Sequence, residues 1–308
     1  MPEPSLPNGV LAASLTPLRE DHTPNGPALA DHVHRLLQNG CDAVLLFGTT
    51  GEGLSFSVEE RTAALEAVLD SGVPPHRLLV GTGALPLPDA TTLTAHATTS
   101  NVGGVLMMPP FHLPNPTSRG IRNAYDHVIQ TVGTSDLQLY FYHYPELFGV
   151  ALDFPVIEEL RAQYPEVVAG VKDSSGEWDH FESLCTSFPD LQVFPGTERF
   201  LAPGLRAGGA GCISATANLT APIAQAVFRA WKQNDDPARA QSVLTERREA
   251  LSRFHNIPAL KQMMAWRDDH SGWARIRPPL ATLESRMVDE LRTVYNDTDA
   301  ACETWGVA

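Results

Sequence analysis

The sequence predicts an α/β fold, a (β/α)8 TIM barrel with a C-terminal helical extension. Eight short, nearly continuous apolar runs recur through the first two-thirds of the 308 residues, which is typical of strands covered on both faces. Amphipathic helical patterns separate these runs at a repeat of roughly 30 residues, the length of a strand–helix–strand unit. Units of this kind, repeated eight times, make a barrel of roughly 250 residues, so one barrel accounts for the chain better than two domains.

The predicted strands are marked by their apolar residues and by the turn residues that follow them. In chain order they are GVLAASL from Gly9, CDAVLLFG from Cys41, RLLVGTG from Arg77, VGGVLMMPP from Val102, LQLYFYHYP from Leu137, VVAGVK from Val167, LQVFPG from Leu191 and GAGCIS from Gly209. A doubly wound open sheet is the structural alternative. It is disfavoured because the turn after the first run, TPLREDHTPNG, contains no G-x-G-x-x-G phosphate loop.

Helical signals replace strand signals in the last third of the chain. Earlier, Ser57 and Glu60 form a capping box that marks the start of the second helix. After residue 220 the predicted helices cover residues 222–233, 237–254 and 279–296, with the shorter piece NIPALKQMMAW between the last two. We expect a catalytic barrel core at residues 1–220 and helices at residues 221–308 that pack on it within one domain.

Composition limits the partners that the protein is expected to have. The chain carries 36 acidic and 22 basic side chains, a formal charge of −14, and no basic run that could follow a phosphate backbone. No apolar stretch of about 18 residues predicts a membrane span. The four cysteines are far apart in the sequence and form no CxxC pair, which is typical of proteins whose cysteines stay reduced. These features predict a cytoplasmic protein that binds neither nucleic acid nor membranes, and an acidic substrate would need positive charge or donors supplied by its site.

One lysine is predicted at the place where such a barrel carries its catalytic groups. The chain has only Lys172, Lys232 and Lys261, and Lys172 ends the sixth predicted strand in VVAGVKDSSG. Since the carboxyl ends of the strands line the active-site mouth, its amine is expected among apolar neighbours. Burial lowers the pKa of an amine and leaves a nucleophile suited to forming an imine with a carbonyl substrate. A structural lysine, snorkelling or paired with Asp173, is the alternative.

Two further segments end predicted strands at the same mouth. In FGTTGEG, residues 47–53, glycines such as Gly48 allow close backbone approach, while Thr49 and Thr50 offer donors for a small carboxylate. In YFYHYPELFGV, Tyr140, Tyr142 and Tyr144 alternate at the end of the fifth strand, and a tyrosine that faces the mouth there can relay protons to and from a bound carbonyl. Each segment has a structural alternative, since Gly-Thr turns are commonly only turns and most strand tyrosines pack in cores or interfaces.

Metal-dependent catalysis is a competing hypothesis, because the chain has 11 histidines and the segment DHVH brings His32 and His34 close together. Both fall in the first helical pattern, two residues apart, where side chains point in different directions. We therefore expect histidines on a surface helix and no metal.

Five motifs in strand order resemble the dihydrodipicolinate synthase and N-acetylneuraminate lyase family. They are GTTGE, YHYP, GVKDSSG, PGTE and GGAGCISATAN, spread over roughly residues 9–220. The resemblance implies a class I aldolase barrel that acts on pyruvate, or on 2-keto acids that release it, as a homotetramer or dimer and without a cofactor. By the matching motifs, the implied site residues are Lys172 for the imine, Tyr142 and Thr50 for proton transfer, and Gly48, Thr49, Thr50 and Ile213 for substrate binding.

The chain departs from the synthases of that family at two places. Leu147, in YHYPELFG, stands where they have an arginine for the second substrate, and PPFHLP supplies Phe111 and His112 where two tyrosines are usual. Imidazole can also relay protons, so His112 is kept as a predicted site residue. With leucine at this position, the chain resembles the lyases that act on sialic acids and on 2-keto-3-deoxy sugar acids. Some of these use an acid on substrate hydroxyls at the position of Glu198, while Arg199 replaces a second acid of the sialic acid lyases.

Three functional hypotheses follow for this site. The favoured one is a class I aldolase or lyase that cleaves or forms a 2-keto-3-deoxy sugar acid, or a similar 2-keto acid, through an imine on Lys172. The alternative within the family is dihydrodipicolinate synthase or a related 2-keto acid dehydratase or deaminase. A non-enzymatic sugar-acid-binding protein is the third, and it predicts that arginine can replace Lys172 without loss.

Overall fold

The computed structural model describes residues 6–268 and 270–305, apart from the side chain of Ser271, and is built around eight parallel strands. They are β1 (Gly9–Ala13), β2 (Ala43–Leu46), β3 (Leu78–Gly81), β4 (Gly104–Met107), β5 (Leu139–His143), β6 (Val168–Asp173), β7 (Gln192–Pro195) and β8 (Gly211–Ser214). Paired neighbours follow the order β7-β6-β5-β4-β3-β2-β1-β8. Between the two end strands, Ala210 N donates to Val193 O at 2.9 Å. The predicted (β/α)8 barrel and its eight strands are confirmed.

Helices follow the strands and continue beyond the barrel. They are α1 (Gly26–Gln38), α2 (Val58–Asp70), α3 (Leu87–Thr99), α4 (Ser118–Val132), α5 (Pro145–Phe148), α6 (Phe154–Gln163), α7 (Trp178–Ser187), α8 (Leu201–Arg206), α9 (Ala217–Lys232), α10 (Ala238–Ser252), α11 (Asn256–Arg267) and α12 (Ser285–Trp305). The predicted capping box of Ser57 and Glu60 begins α2. Within residues 6–268 and 270–305, no helix is both long and apolar enough to cross a membrane.

Side chains of the strands pack in two separate layers. Leu11, Tyr140 and Phe194 belong to a cluster inside the barrel, whereas Phe141 and Val171 belong to the larger cluster between the strands and the helices. Successive residues of a strand point to opposite faces, so the alternation in β5 and β6 sorts their side chains between the two layers. The inner layer closes the bottom of the barrel and leaves its carboxyl end for the site.

The helix of the eighth unit begins earlier than the sequence indicates. Helix α9 starts at Ala217, and Pro222, the predicted start, lies inside it. Proline has no N–H to donate to the carbonyl of residue 218, which would leave that oxygen without its helical partner. The Arg267 guanidinium donates to Asn218 O at 3.0 Å instead. The predicted boundary at residue 220 therefore falls within α9.

The C-terminal helices pack against the barrel rather than standing apart from it. Leu15 of the first βα loop and Leu219 of α9 share a buried cluster with Leu260, Trp273 and Leu291. The clustered residues come from three of the C-terminal segments, so the extension and the barrel have a common core.

The last helix begins later than predicted, at Ser285 instead of residue 279. Arg277, just before the proline pair Pro278–Pro279, contacts residues of the barrel. Its guanidinium pairs with Glu60 at the start of α2, and its backbone N–H donates to the Glu52 carboxylate at 3.1 Å. These contacts hold the segment in an extended path that a helix starting at residue 279 could not follow.

The expectation of histidines on a surface helix was wrong for His32. Its side chain is fully buried in α1, where Nε2 lies 2.8 Å from Asn218 Oδ1 and the ring meets Trp273 edge-on. Burial lowers the pKa of His32 to about 3, so the ring is neutral. The position belongs to the apolar face with Leu29, Val33 and Leu36, whereas His34 reaches outward to Ser71.

Candidate active site

Two neighbouring strands bring the predicted lysine and tyrosine together. Lys172 of β6 and Tyr142 of β5 are register partners at the carboxyl ends of their strands. The Lys172 amine lies 4.5 Å from the centroid of the Tyr142 ring. Both side chains are buried, with 5% and 4% of their surface exposed. The parallel register therefore places an amine directly beside an aromatic hydroxyl residue.

The environment of Lys172 differs from that of the other two lysines. Lys232 lies on the surface, and Lys261 is buried in an ion pair with Glu52. Within the described part of the chain, no carboxylate lies within ion-pair distance of the Lys172 amine. Burial lowers the pKa of Lys172 to about 7. At neutral pH about half of an amine with this pKa is unprotonated and nucleophilic, whereas an ordinary lysine is almost fully protonated.

The hydroxyl of Tyr142 lies between two other hydroxyl side chains. It is 3.2 Å from Thr49 Oγ1. Burial raises the pKa of Tyr142, and the hydroxyls of Thr49 and Ser174 partly oppose the rise. The tyrosine is therefore a neutral phenol with hydroxyl partners on both sides, which suits a group that passes protons. Ser174 was not predicted as a site residue, although it follows Lys172 by two positions.

The threonines are held in a tight turn after β2. Glu52 N donates to Thr49 O at 3.0 Å, and Gly53 N donates to Gly48 O at 3.2 Å. A Cβ on Gly53 would lie 2.0 Å from Phe47 O, so the close turn requires glycine there. The turn presents Thr49 and Thr50 to the cavity and keeps Gly48 buried behind them.

A buried ion pair ties this turn to the C-terminal helices. The carboxylate of Glu52 pairs with the Lys261 amine of α11, and both side chains are at most 1% exposed. Lys261 Nζ also donates to Arg275 O at 2.9 Å, and Glu52 accepts from Arg277 N at 3.1 Å. All of these groups are removed from water, so the geometry of the threonine turn depends on contacts from the end of the chain.

The mouth of the barrel contains a cavity of about 530 Å³. Its inner part is lined by the predicted residues Thr49, Thr50, Tyr142, Lys172 and Ile213. Its outer part is lined by residues that the sequence did not single out, among them Ser174, Thr197, Arg248, Ser252 and Asn256. The last three come from α10 and α11, and no local motif marks them, because their approach to the mouth depends on how these helices pack.

Three predicted substrate contacts lie outside this cavity lining: Gly48, which is buried in the threonine turn, Glu198 and His112. Glu198 is fully buried, and its carboxylate accepts hydrogen bonds from the hydroxyls of Thr216 and Thr220. His112 is exposed and lines a separate apolar groove with Leu113 and neighbouring prolines. Glu198 is thus occupied by hydroxyls at the start of α9, and His112 lies in a groove separate from the cavity of Lys172. Neither residue enters the mechanism proposed below.

A cluster of His143, Asp173 and His180 lies beside the site, with ligand-type atoms all within 4.8 Å of one another. His180 Nδ1 is 3.1 Å from Asp173 Oδ2, and the two imidazoles stack with centroids 4.2 Å apart. The Leu152 N–H donates to His143 Nδ1, which places the proton of the neutral ring on Nε2. That nitrogen then has no lone pair for a metal, and stacked rings do not aim their nitrogens at a common point. Burial, aided by His180, lowers the pKa of His143 to about 4.

A (β/α)8 barrel with a buried lysine of lowered pKa beside a tyrosine at its carboxyl-end mouth defines an enzyme of the class I aldolase type, a carbon–carbon lyase. The model of the dihydrodipicolinate synthetase family matches residues 6–297. The chain belongs to this family.

Individual relatives agree with that assignment over nearly the whole chain. An uncharacterised DapA-like lyase of Chloroflexus aurantiacus is 35% identical over 294 residues, covering 94% of this chain and 96% of that protein. A 4-hydroxy-tetrahydrodipicolinate synthase of Thermus thermophilus is 31% identical, covering 86% and 88%. The crystal structure of a dihydrodipicolinate synthase from Agrobacterium tumefaciens is 34% identical, with a TM-score of 0.83 and coverage of 95% and 98%. The three proteins are similar to this chain in sequence, and the Agrobacterium protein is similar in fold as well.

The departure at Leu147 is visible in the cavity. Leu147 follows β5 in the short helix α5, lines the cavity and is 48% exposed. Phe111, at the other departure, packs against Phe148 with ring centroids 5.1 Å apart. Helix α5 therefore contributes Leu147 and the carboxylate of Glu146 to the mouth, and no cation.

Proposed function

We propose that the protein is a pyruvate-dependent aldolase that cleaves or forms a 2-keto-3-deoxy sugar acid or a similar 2-keto acid. The observation that carries the proposal is the buried Lys172 amine, without a carboxylate partner in the described residues, in one cavity with Tyr142 and the threonine turn. The protein acts without metal or organic cofactor, because the imine on Lys172 supplies the electron sink. We further propose a cytoplasmic homotetramer or dimer.

The proposed reaction begins with attack of the Lys172 amine on the keto carbon of the substrate. Thr49 and Thr50 bind the adjacent carboxylate by hydroxyl and backbone donors, which fixes the keto carbon above the amine. Tyr142 delivers a proton to the carbinolamine oxygen, water leaves, and a protonated imine forms. The hydrogen bond between Tyr142 and Thr49 supports this proton transfer.

Cleavage then uses the imine as an electron acceptor. Tyr142 removes the proton from the hydroxyl on the fourth carbon, and the bond between the third and fourth carbons breaks. Its electron pair moves to the iminium nitrogen and gives an enamine, while the hydroxyl carbon leaves as an aldehyde. Protonation of the enamine and hydrolysis of the resulting imine release pyruvate and restore Lys172. Aldol addition follows the same steps in reverse.

A second candidate is condensation of pyruvate with an amino-aldehyde, as in dihydrodipicolinate synthases, or a related dehydratase or deaminase reaction. Family membership and the two synthase relatives favour it. Leu147 weighs against the synthase reaction, because an apolar, 48% exposed side chain occupies the place of the arginine that would bind the second carboxylate.

The test of the proposal is covalent trapping. The protein is incubated with pyruvate and borohydride, and its intact mass and peptide map are measured. One reduced pyruvate per chain, located on the peptide that contains Lys172, is the expected result. Lys232→Arg, at an exposed position, serves as the matched control and retains the adduct. An adduct confined to Lys232 or Lys261, or no adduct in folded protein, would contradict the proposal.

The pH dependence of trapping provides a second prediction. Below pH 7 the Lys172 amine is mostly protonated and has no lone pair; above it the amine is free, since burial lowers its pKa to about 7. The rate of imine formation should therefore rise about tenfold per pH unit below the pKa and level off above it. Initial rates of trapping with cyanoborohydride between pH 5 and pH 10 measure this. A rate that keeps rising to pH 10 would indicate an ordinary exposed lysine.

A further inference from the structure

The cavity extends beyond the reacting residues to a rim that carries two arginines. Arg248 comes from the last turns of α10, and Arg199 from the short 3-10 segment Glu198–Phe200 after β7. Both line the same cavity as Lys172. Because pyruvate occupies the inner part near the threonine turn, the rim faces the portion of the substrate that becomes the aldehyde.

Arg248 has no ion-pair partner among the described residues, and this distinguishes it from its neighbour on the helix. Arg247 pairs with Glu246 and with Asp297 of α12, at 3.7 Å from the latter, and so fastens two helices together. Arg248 is half-buried and makes no hydrogen bond to another side chain of the described chain. Arg199 is exposed, with its guanidinium carbon 5.7 Å from the Phe200 ring centroid.

The charge of Arg248 acts inside the cavity. The pKa of Tyr144 is raised, mainly by burial. Tyr142 and Glu146 add to this rise, whereas the charge of Arg248 opposes it. Glu146 and Glu249 are carboxylates on the same rim, but both are exposed and neither forms an ion pair with Arg248. Asp173, the buried carboxylate of the same lining, lies against His180 and forms no ion pair with Arg248 either. Within the described residues, the guanidinium of Arg248 therefore has no protein counter-ion at the cavity wall.

The protein as a whole repels anions, since its formal charge is −14. A cation that lines the cavity without a protein carboxylate is therefore available to an anionic group of the substrate. Guanidinium groups bind carboxylates and phosphates through paired N–H donors. The arginine missing at Leu147 cannot supply this contact, whereas α10 places an arginine in the lining of the same cavity.

We propose that Arg248, assisted by Arg199, binds a terminal carboxylate or phosphate on the aldehyde portion of the substrate. This inference rests on the proposed function and narrows it to 2-keto acids with an anionic group at the far end. Arg248 makes the larger contribution because it is less exposed than Arg199.

Matched aldehydes test the inference in the direction of aldol addition to pyruvate. Succinic semialdehyde is compared with butanal, and glyceraldehyde 3-phosphate with glyceraldehyde, by the rate of pyruvate consumption. In the wild-type protein, the ratio of kcat/KM for the anionic aldehyde to that for the uncharged aldehyde should be at least about ten in one of the pairs. The pair that shows this ratio identifies the anionic group of the substrate as a carboxylate or a phosphate. In Arg248→Met this ratio should fall by about 10-fold to 100-fold, and in Arg199→Met by less.

The control is Arg247→Met, which removes a positive charge from the same helix outside the cavity and should leave the ratio unchanged. Three results would overturn the inference. They are a wild-type ratio near one, turnover of none of the four aldehydes, and an equal ratio in Arg248→Met and Arg247→Met. Trapping of pyruvate on Lys172 in the wild-type protein separates these outcomes from failure of the proposed function. Without trapping, both proposals are wrong.

Discussion

Arginine in place of Lys172 is expected to reduce pyruvate release on the order of 10⁴-fold or more, since a guanidinium stays protonated and cannot attack a carbonyl. The positive charge is kept, so this substitution separates the imine mechanism from a binding protein in which only charge matters. Pyruvate release from a 2-keto acid that the wild-type protein cleaves is the measurement. Activity near the wild-type level would contradict the mechanism and favour a binding role.

A second variant shows whether lost activity reflects lost folding. Lys172→Met is close to lysine in length and removes the buried charge, so it should be inactive but folded. The folded-state pKa of Lys172, about 7, lies below the ordinary lysine value of 10.5. Burial of the charged amine therefore lowers the free energy of unfolding. The loss is complete below pH 7 and disappears as the pH rises towards 10.5. Lys172→Met should therefore be more stable than wild type at pH 6, as measured by thermal unfolding. Inactivity together with lower stability at that pH would point to a structural lysine.

Methionine in place of Lys261 is expected to cost about 3–5 kcal/mol of unfolding free energy, because it leaves the Glu52 carboxylate buried without its partner. Glu52 belongs to the threonine turn, so the variant should also bind pyruvate more weakly, seen as a higher pyruvate concentration for half-maximal trapping. Urea unfolding followed by circular dichroism measures the stability change. The double variant Glu52→Gln with Lys261→Met should lose less than the sum of the single losses.

The matched control for this pair is Arg286→Met, which removes the ion pair between Arg286 and Glu290 on the surface of α12. These side chains are 89% and 48% exposed. Their removal should change the unfolding free energy by less than about 1 kcal/mol. A similar effect at Lys261 and Arg286 would show that the buried pair does not hold the threonine turn.

The strands were predictable because their signals are local, and the residues proposed to react were predictable from motifs at the strand ends. An apolar run that ends in Lys172 needs no knowledge of the rest of the chain, and neither does the glycine–threonine turn that contains Thr49 and Thr50. In a barrel, the carboxyl ends of parallel strands meet at one face, so local position along a strand implies a place at the mouth. The fold and the inner cavity follow from these features.

Other features depended on contacts between distant parts of the chain. Nothing near Glu198 in sequence indicates that Thr216 and Thr220 bind its carboxylate, nor does the first helix show that Asn218 buries His32. The late start of α12 depends on Arg277 reaching Glu60, more than two hundred residues earlier. Burial and hydrogen-bond partners of this kind are set when helices dock, and a local pattern contains no record of them.

By itself, the sequence determined the barrel, its eight strands and the strand-end positions of Lys172, Tyr142 and the threonine turn, because strand periodicity and strand-end position are properties of short segments. Only the tertiary structure decided what surrounds them: the fixing of the threonine turn by Lys261, the hydroxyl partners of Tyr142, and the arrival of Arg248 at the rim. The contact of Lys261 and the position of Arg248 depend on where α10 and α11 pack, which places side chains from the end of the chain beside strands from its beginning. The partners of Tyr142 depend on how the loops after β2 and β6 meet at the mouth of the barrel.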